Sequence, residues 1–180
     1  MSDQSSLGTA DAATVRPDGS SLASTIEGVR VFAPVNHVDD RGRVFEIWSS
    51  GHEYWDEPFV YSYCFSVRQG NAKGWGIHDH KSDRYTLISG EVLTVLYDGR
   101  SDSPSFGLEQ RVLLSGQGVR QLTIPPGVWH LNLNVGEGEA YLINFPTQPY
   151  DYAAPDRRTL PIGTPEIPID ARQFFPQQYG

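Results

Sequence analysis

From Val29 onward the apolar and β-branched residues come in short runs broken by turn-formers, not in the three-and-four spacing of an amphipathic helix. The runs are Val29 to Phe32, Arg43 to Trp48, Val60 to Val67, Gly76 to His80, Tyr85 to Ser89, Glu91 to Tyr97, Arg111 to Leu114, Gln121 to Ile124, His130 to Val135 and Ala140 to Phe145. Each reads as a β-strand. Asp40-Arg41-Gly42, Ser89-Gly90, Asp98-Gly99, Pro125-Pro126-Gly127 and Gly136-Glu137-Gly138 fall where one run stops and the next starts, so they mark chain reversals. Many closely spaced strands with few, short helices predict an all-β domain closed as a jelly-roll barrel.

The ends differ from the middle. Residues 1–25 are Ser, Thr, Ala, Asp and Gly with few large apolar groups, too few to offset ordering entropy, and predict a disordered tail. Residues 26–180 then form a single jelly-roll domain. From about residue 146 the texture turns Pro-rich, which predicts an irregular wrap over the barrel.

A chain of 180 residues fits one core. With 14 Lys and Arg against 22 Asp and Glu the net charge is −8, which excludes a broad nucleic-acid surface. One cysteine, Cys64, forms no internal disulfide and no thiolate metal site. No apolar run reaches the roughly 18 residues of a membrane helix, and the start lacks a secretory signal, so the expected location is the cytoplasm.

Candidate chemistry sits on three of the five histidines. On a strand, His78 and His80 would project to one face while Ile77 and Asp79 point away. His130 follows the Pro126-Gly127 turn at the start of a strand that a barrel could bring opposite the pair. Imidazoles titrate near neutrality and suit general acid–base work, with His80, Lys81 or Arg84 as donor to a developing negative charge, and Tyr61, Tyr63 and Tyr85 nearby as acids. The competing use is a divalent metal held by His78, His80, Asp83 and His130; no cofactor is the favoured expectation. His37 and His52 read as surface groups. Trp48, Trp55, Trp75 and Trp129 read as core aromatics or, for Trp75 and Trp129 beside the histidines, as stacking platforms for substrate. Arg41 reads equally as a turn ion pair with Asp39 or Asp40 and as a phosphate ligand, and Asp83-Arg84 as a structural pair.

The segments Pro126-x-Gly-x-x-His130-x-x-x-Asn134 and His78-x-His80 with Asp83 and Gly90 resemble the two cupin motifs. More closely, Asp39 to Glu46, Gly76-Ile77-His78, Ser89 to Val92, Asp98-Gly99-Arg100, Ser103 to Gly107, Ile124 to Gly127 and Tyr152 to Asp156 resemble the dTDP-4-dehydrorhamnose 3,5-epimerase family. His78-Asp79-His80-Lys81 and Pro126 to His130 are also similar to dTDP-sugar 3,4-ketoisomerases. The resemblance implies a nucleotide-linked 4-keto-6-deoxy sugar as substrate, a homodimer, His78 as the base, His130 as the second pocket histidine, and Arg41 and Glu46 as nucleotide contacts. Lys73 is the cation nearest the position of a family arginine. It also places the family's catalytic tyrosine at Ile143, the aspartate that partners the histidine at Thr164, and the family lysine near Asp83. A metal-dependent dioxygenase, isomerase or lyase and a non-catalytic sugar-nucleotide binding module are the other functions this pattern allows.

Overall fold

The computed structural model describes residues 9 and 11–174; the start of the expected tail and the last six residues of the wrap lie outside this range. Among the described residues twelve strands run in the order β1 Arg30–Phe32, β2 Asn36–Asp39, β3 Gly42–Phe45, β4 Tyr63–Val67, β5 Ala72–Ile77, β6 Asp83–Ser89, β7 Glu91–Asp98, β8 Glu109–Ser115, β9 Gln121–Ile124, β10 Val128–Asn134, β11 Ala140–Asn144 and β12 Arg158–Thr159. The one regular helix among the described residues is a 3-10 turn at Ala171–Phe174. Two antiparallel five-stranded sheets face each other, one ordered β1-β9-β6-β11-β4 and the other β12-β5-β10-β7-β8, with β2 and β3 forming a separate hairpin. This is the jelly-roll barrel expected from the strand pattern.

Three apolar clusters follow from the period of two along each strand. Inward residues of both sheets, among them Leu87, Leu122, Leu142, Leu96, Leu114 and Val128, fill the space between the sheets. Residues of β5, β7 and β10 pointing the other way, namely Trp75, Val95, Leu131 and Leu133, are covered by Ile167, Ile169 and Ala171 of the C-terminal wrap. On the outside of the first sheet, Ile143 and Phe145 pack with Tyr54 and Trp55 from the loop before β4.

Residues 11–25 are exposed; their backbone hydrogen bonds are local, around a Val15–Ser21 bridge. The barrel begins at Ile26, which is buried and whose amide donates to Gln110 Oε1 at 2.8 Å.

Most expected strands lie within a residue or two of the observed ones, with two informative differences. Asn36–Asp39 and Arg158–Thr159 pair as strands that the hydrophobic pattern did not mark. The run expected at Gly76 to His80 is instead Ala72–Ile77, so the strand ends before the histidines.

The inter-sheet core gives a direct check. Leu122 is fully buried there, so Leu122→Ala should lower unfolding free energy by about 3 kcal/mol, within the roughly 2–5 kcal/mol span of such truncations. Urea denaturation at constant slope measures it; a loss below about 1 kcal/mol would contradict this packing.

Candidate active site

At one end of the inter-sheet space the inward residues turn polar. On β10 the inward series runs Val128, His130, Asn132, Asn134, all buried. On the facing sheet β6 places Asp83 and Tyr85 inward, β11 places Asn144 and β4 places Tyr63 and Phe65. The result is a cavity of about 570 Å³ whose lining includes Tyr61, Tyr63, Lys73, His78, Lys81, Asp83, Tyr85, His130, Asn132, Tyr150, Tyr152 and Arg157.

His78, just past the end of β5, and His130 on β10 lie on the same side of the cavity, and their rings lie with centroids 5.7 Å apart at 26°. Close approach of β5 to β10 allows this. At Gly74, φ is +129° and a Cβ would lie 2.5 Å from the His130 carbonyl oxygen, so only glycine fits. At Gly76 a Cβ would lie 3.1 Å from His130 Nε2, so glycine leaves room for the ring.

Asp83 reaches across from the other sheet to join the pair. Its Oδ2 is 3.3 Å from His78 Nε2 and 3.6 Å from His130 Nε2. The same oxygen accepts from Tyr85 OH at 2.9 Å, and Oδ1 accepts from Asn144 Nδ2 at 2.7 Å. Asn144 is fixed by its own contacts: the Arg84 amide donates to its Oδ1 at 2.9 Å, and its Nδ2 also donates to Tyr63 OH at 2.9 Å. Each imidazole is oriented from behind, His78 Nδ1 by the Asp156 carbonyl and His130 Nδ1 by the Val128 carbonyl at 3.3 Å. A carbonyl only accepts, so each Nδ1 carries the hydrogen and each neutral ring presents its Nε2 lone pair toward Asp83.

Electrostatics separate the two rings. Burial alone would depress His78, but the hydrogen bond and charge of Asp83, with the Asp156 carbonyl, raise it above its ordinary value. His130 is lowered: burial dominates, opposed by Asp83, and His78 pushes the same way as burial. Burial would raise Asp83, yet His78, His130 and Asn144 hold its carboxyl far below the usual range. Burial, then the Asp83 charge, push Tyr63 up to about 12, and burial lifts Tyr85 well above an ordinary phenol.

Among the residues expected from sequence, His78, His130, Lys73 and Lys81 line the cavity. Lys81 is buried with Nζ 5.6 Å from the centre of the Tyr150 ring. His80 does not share the wall with His78. Strand β5 ends at Ile77, and the following turn is held by Asp156, whose carboxylate accepts the amides of Asp79, His80 and Lys81 at 2.8, 3.1 and 3.2 Å. Off the strand the alternation rule lapses, and His80 is exposed. Trp75 is not a substrate platform, because it points outward and is wholly buried under the wrap. Trp129, one residue from His130, likewise faces the outer cluster, with the Arg158 guanidinium 6.0 Å from its ring. Arg84 is turned out of the cavity and does not pair with Asp83. Its guanidinium donates to the carbonyls of Phe145, Glu57 and Pro58 at 2.6, 3.1 and 3.2 Å. Arg41 and Glu46 lie on and beside the β2–β3 hairpin, outside the cavity lining, with Arg41 paired to Asp39.

The donor atoms of His78, Asp83 and His130 lie within 4.8 Å of one another, so among the described residues these three, without His80, are the set able to hold a divalent cation. Sequence reasoning left Asn144, Asp156 and Arg157 unassigned and Tyr63 and Tyr85 without a face. The alternation of β11 around Leu142 carried the signal for Asn144. Asp156 closes a segment already singled out by resemblance.

The profile of the family described as dTDP-4-dehydrorhamnose 3,5-epimerase matches residues 23–177. The chain is 28% identical over 126 residues to the "Probable low-salt glycan biosynthesis epimerase Agl13" of Haloferax volcanii, covering 69% of this chain and 81% of that one. It is 29% identical over 136 residues to the spore coat polysaccharide biosynthesis protein SpsL of Bacillus subtilis, covering 76% and 89%. Among solved structures, a dTDP sugar isomerase from Desulfovibrio desulfuricans superimposes with a TM-score of 0.74 at 26% identity over 80% of this chain and 90% of that one.

The raised His78 depends on Asp83. Removing the carboxylate in Asp83→Asn leaves burial opposed by the Asp156 carbonyl alone, so the His78 titration followed by NMR of its ring protons should move down. The linkage sign follows: stability from the raised His78 is complete below its unfolded pKa and lost as pH rises through the folded one. Asp83→Asn should therefore lessen the stability lost across the neutral to mildly alkaline range. An unmoved His78 titration would refute the coupling.

Proposed function

This chain belongs to the dTDP-4-dehydrorhamnose 3,5-epimerase family and is a sugar-nucleotide epimerase, and we propose that it acts on a nucleotide-linked 4-keto-6-deoxy sugar with His78 as the base. The observation that carries the role of His78 is its bonding: Nδ1 is committed to the Asp156 carbonyl, and Nε2 faces Asp83 at the cavity. A neutral His78 thus offers one lone pair, on the side where a substrate carbon would lie. Removing a proton next to the ketone places negative charge on the ketone oxygen. Lys81, Lys73 and Arg157 line the same cavity and can receive that oxygen, a service worth about 3 kcal/mol per fixed donor. Because Asp83 raises His78, its free-base fraction, and with it the rate, should climb as pH rises past that raised value.

A homodimer is part of the proposal. Val35, Val38 and Val44, on and beside the β2–β3 hairpin, are each at least 70% exposed, an apolar face that a second copy would cover. Light scattering behind size exclusion tests it, and a monomer at micromolar concentration would remove it.

A second reading rests on the three convergent donors: a divalent cation held by His78, Asp83 and His130. Elemental analysis of freshly purified protein divides the two. Stoichiometric metal lost in Asp83→Asn would overturn His78 as a free base, whereas metal-free protein that exchanges substrate hydrogen would support it.

Incubation with dTDP-4-keto-6-deoxyglucose in deuterated water should introduce deuterium at a carbon beside the ketone. His78→Ala should slow that entry by about 100-fold or more while keeping the wild-type unfolding transition. Absence of exchange with this and related 4-keto sugars would refute the reading.

A further inference from the structure

Inverting a carbon requires that the proton leave from one face and return to the other, so a base alone completes only half of the reaction. His78 and His130 both belong to the β5–β10 side of the cavity, and neither can reach both faces of a sugar lying between the sheets. The side chains facing them across the cavity are those of the opposite sheet, where β4, β6 and β11 present Tyr63, Asp83, Tyr85 and Asn144.

These four are not equivalent. Asp83 is held as a carboxylate and has no proton to give. The Tyr85 hydroxyl already donates to Asp83. Asn144 uses both amide hydrogens, on Asp83 and on Tyr63. Tyr63 differs. Its oxygen accepts from Asn144, and its own hydrogen has no acceptor among the described residues. The Asn144 orientation is fixed because the Arg84 amide donates to its Oδ1, so Tyr63 is confined to the acceptor role there and its hydrogen is left for the cavity. Ile143, where resemblance places a tyrosine, packs outward against Tyr54, Trp55 and Phe145. Tyr63 is the direct cross-strand partner of its neighbour Asn144.

We propose that Tyr63 is the proton donor that serves the face of the sugar opposite His78. The step balances as follows. The C–H electron pair moves into a carbon–carbon double bond while His78 Nε2 takes the proton and the ketone oxygen becomes an enolate. The enolate carbon then takes the Tyr63 hydroxyl proton on its other face, and the ketone re-forms. His78 as imidazolium and Tyr63 as phenolate are reset by exchange with solvent. Burial keeps the phenol protonated through neutral pH, so the donor is loaded when substrate arrives.

The proposal rests on the reading of His78 as base, and its test keeps the two apart. Tyr63→Phe removes one oxygen from a side chain that is 39% exposed, and the unfolding transition should stay near that of the wild type. With dTDP-4-keto-6-deoxyglucose in deuterated water, this variant should still introduce deuterium beside the ketone, within about ten-fold of the wild-type rate, while inversion slows by about 100-fold or more. Inversion at the wild-type rate would overturn the assignment, as would equal losses of exchange and inversion in a folded variant. Loss of exchange in the wild type would fail the base as well. A measurement on unmodified protein stands beside the variant. In a single turnover in deuterated water, each inverted carbon should carry solvent deuterium, because the incoming proton never belonged to the substrate; inverted product retaining its original hydrogen would overturn a separate donor.

Discussion

A buried carboxylate must be surrounded by donors, and the polar end of this barrel is organised by that requirement. Asp83 is 2% exposed between two sheets. Left unpaired, such a charge would cost several kcal/mol. Two donors come from its own sheet, Tyr85 and Asn144, and from across the cavity His78 and His130 bring Nε2 within 3.3 and 3.6 Å, where a protonated His78 donates as well. Each of the last three is then held from behind by the backbone, through Arg84 N–H, Asp156 C=O and Val128 C=O. Satisfying one acid therefore fixes both imidazoles, an amide and, through the amide, a phenol. Such a network is rigid because every member has partners of its own.

Set against the family resemblance, the charges around the histidine are rearranged. The resemblance expects an aspartate behind the imidazole and a lysine in the pocket. Here the residue at the first place is Thr164, whose hydroxyl accepts the Glu166 amide at 3.3 Å within its own turn. A neutral carbonyl orients His78 in its stead. The negative charge, the Asp83 carboxylate, faces the other nitrogen, Nε2, near where the lysine was expected. A carbonyl fixes the tautomer without adding charge, and Asp83 then supplies the shift in affinity for a proton. The cations that line the cavity are instead Lys73, Lys81 and Arg157.

Much of this was legible in the chain, for identifiable reasons. Strands with one face in the inter-sheet core alternate, so β7, β9, β10 and β11 could be read almost to the residue. His130 could be placed because Pro126-Gly127 fixes where β10 begins. His80 could not, because the end of β5 is set by a hydrogen-bond cap from Asp156, some 76 positions away in sequence. Trp75 and Trp129 misled for a related reason: both sheets bury outer faces as well as inner ones, so an aromatic beside a histidine points away from it into a second core. A pattern of two reports alternation but not which face holds the pocket.

The C-terminal wrap links these levels. Ile167, Ile169 and Ala171 seal the outer face of the β5–β10 sheet, β12 pairs with β5, and Arg158 pairs with Asp79. The same segment carries Tyr150, Tyr152, Asp156 and Arg157 to the cavity. It is anchored near both ends, by the Thr147 amide on the Ser82 carbonyl at 3.1 Å and by Asp156 on the turn after β5. Between those anchors Tyr150 and Tyr152 are exposed, at 39% and 85%. The floor of the cavity is thus built from strand residues locked by shared hydrogen bonds, and much of its rim from a strap held at its ends. The proton transfer proposed for His78 would need the first, because reacting groups must be held to within about 0.5 Å. Recognition of the rest of a sugar nucleotide can use the second, since aromatic and cationic side chains on a strap can change without disturbing the acid at the centre.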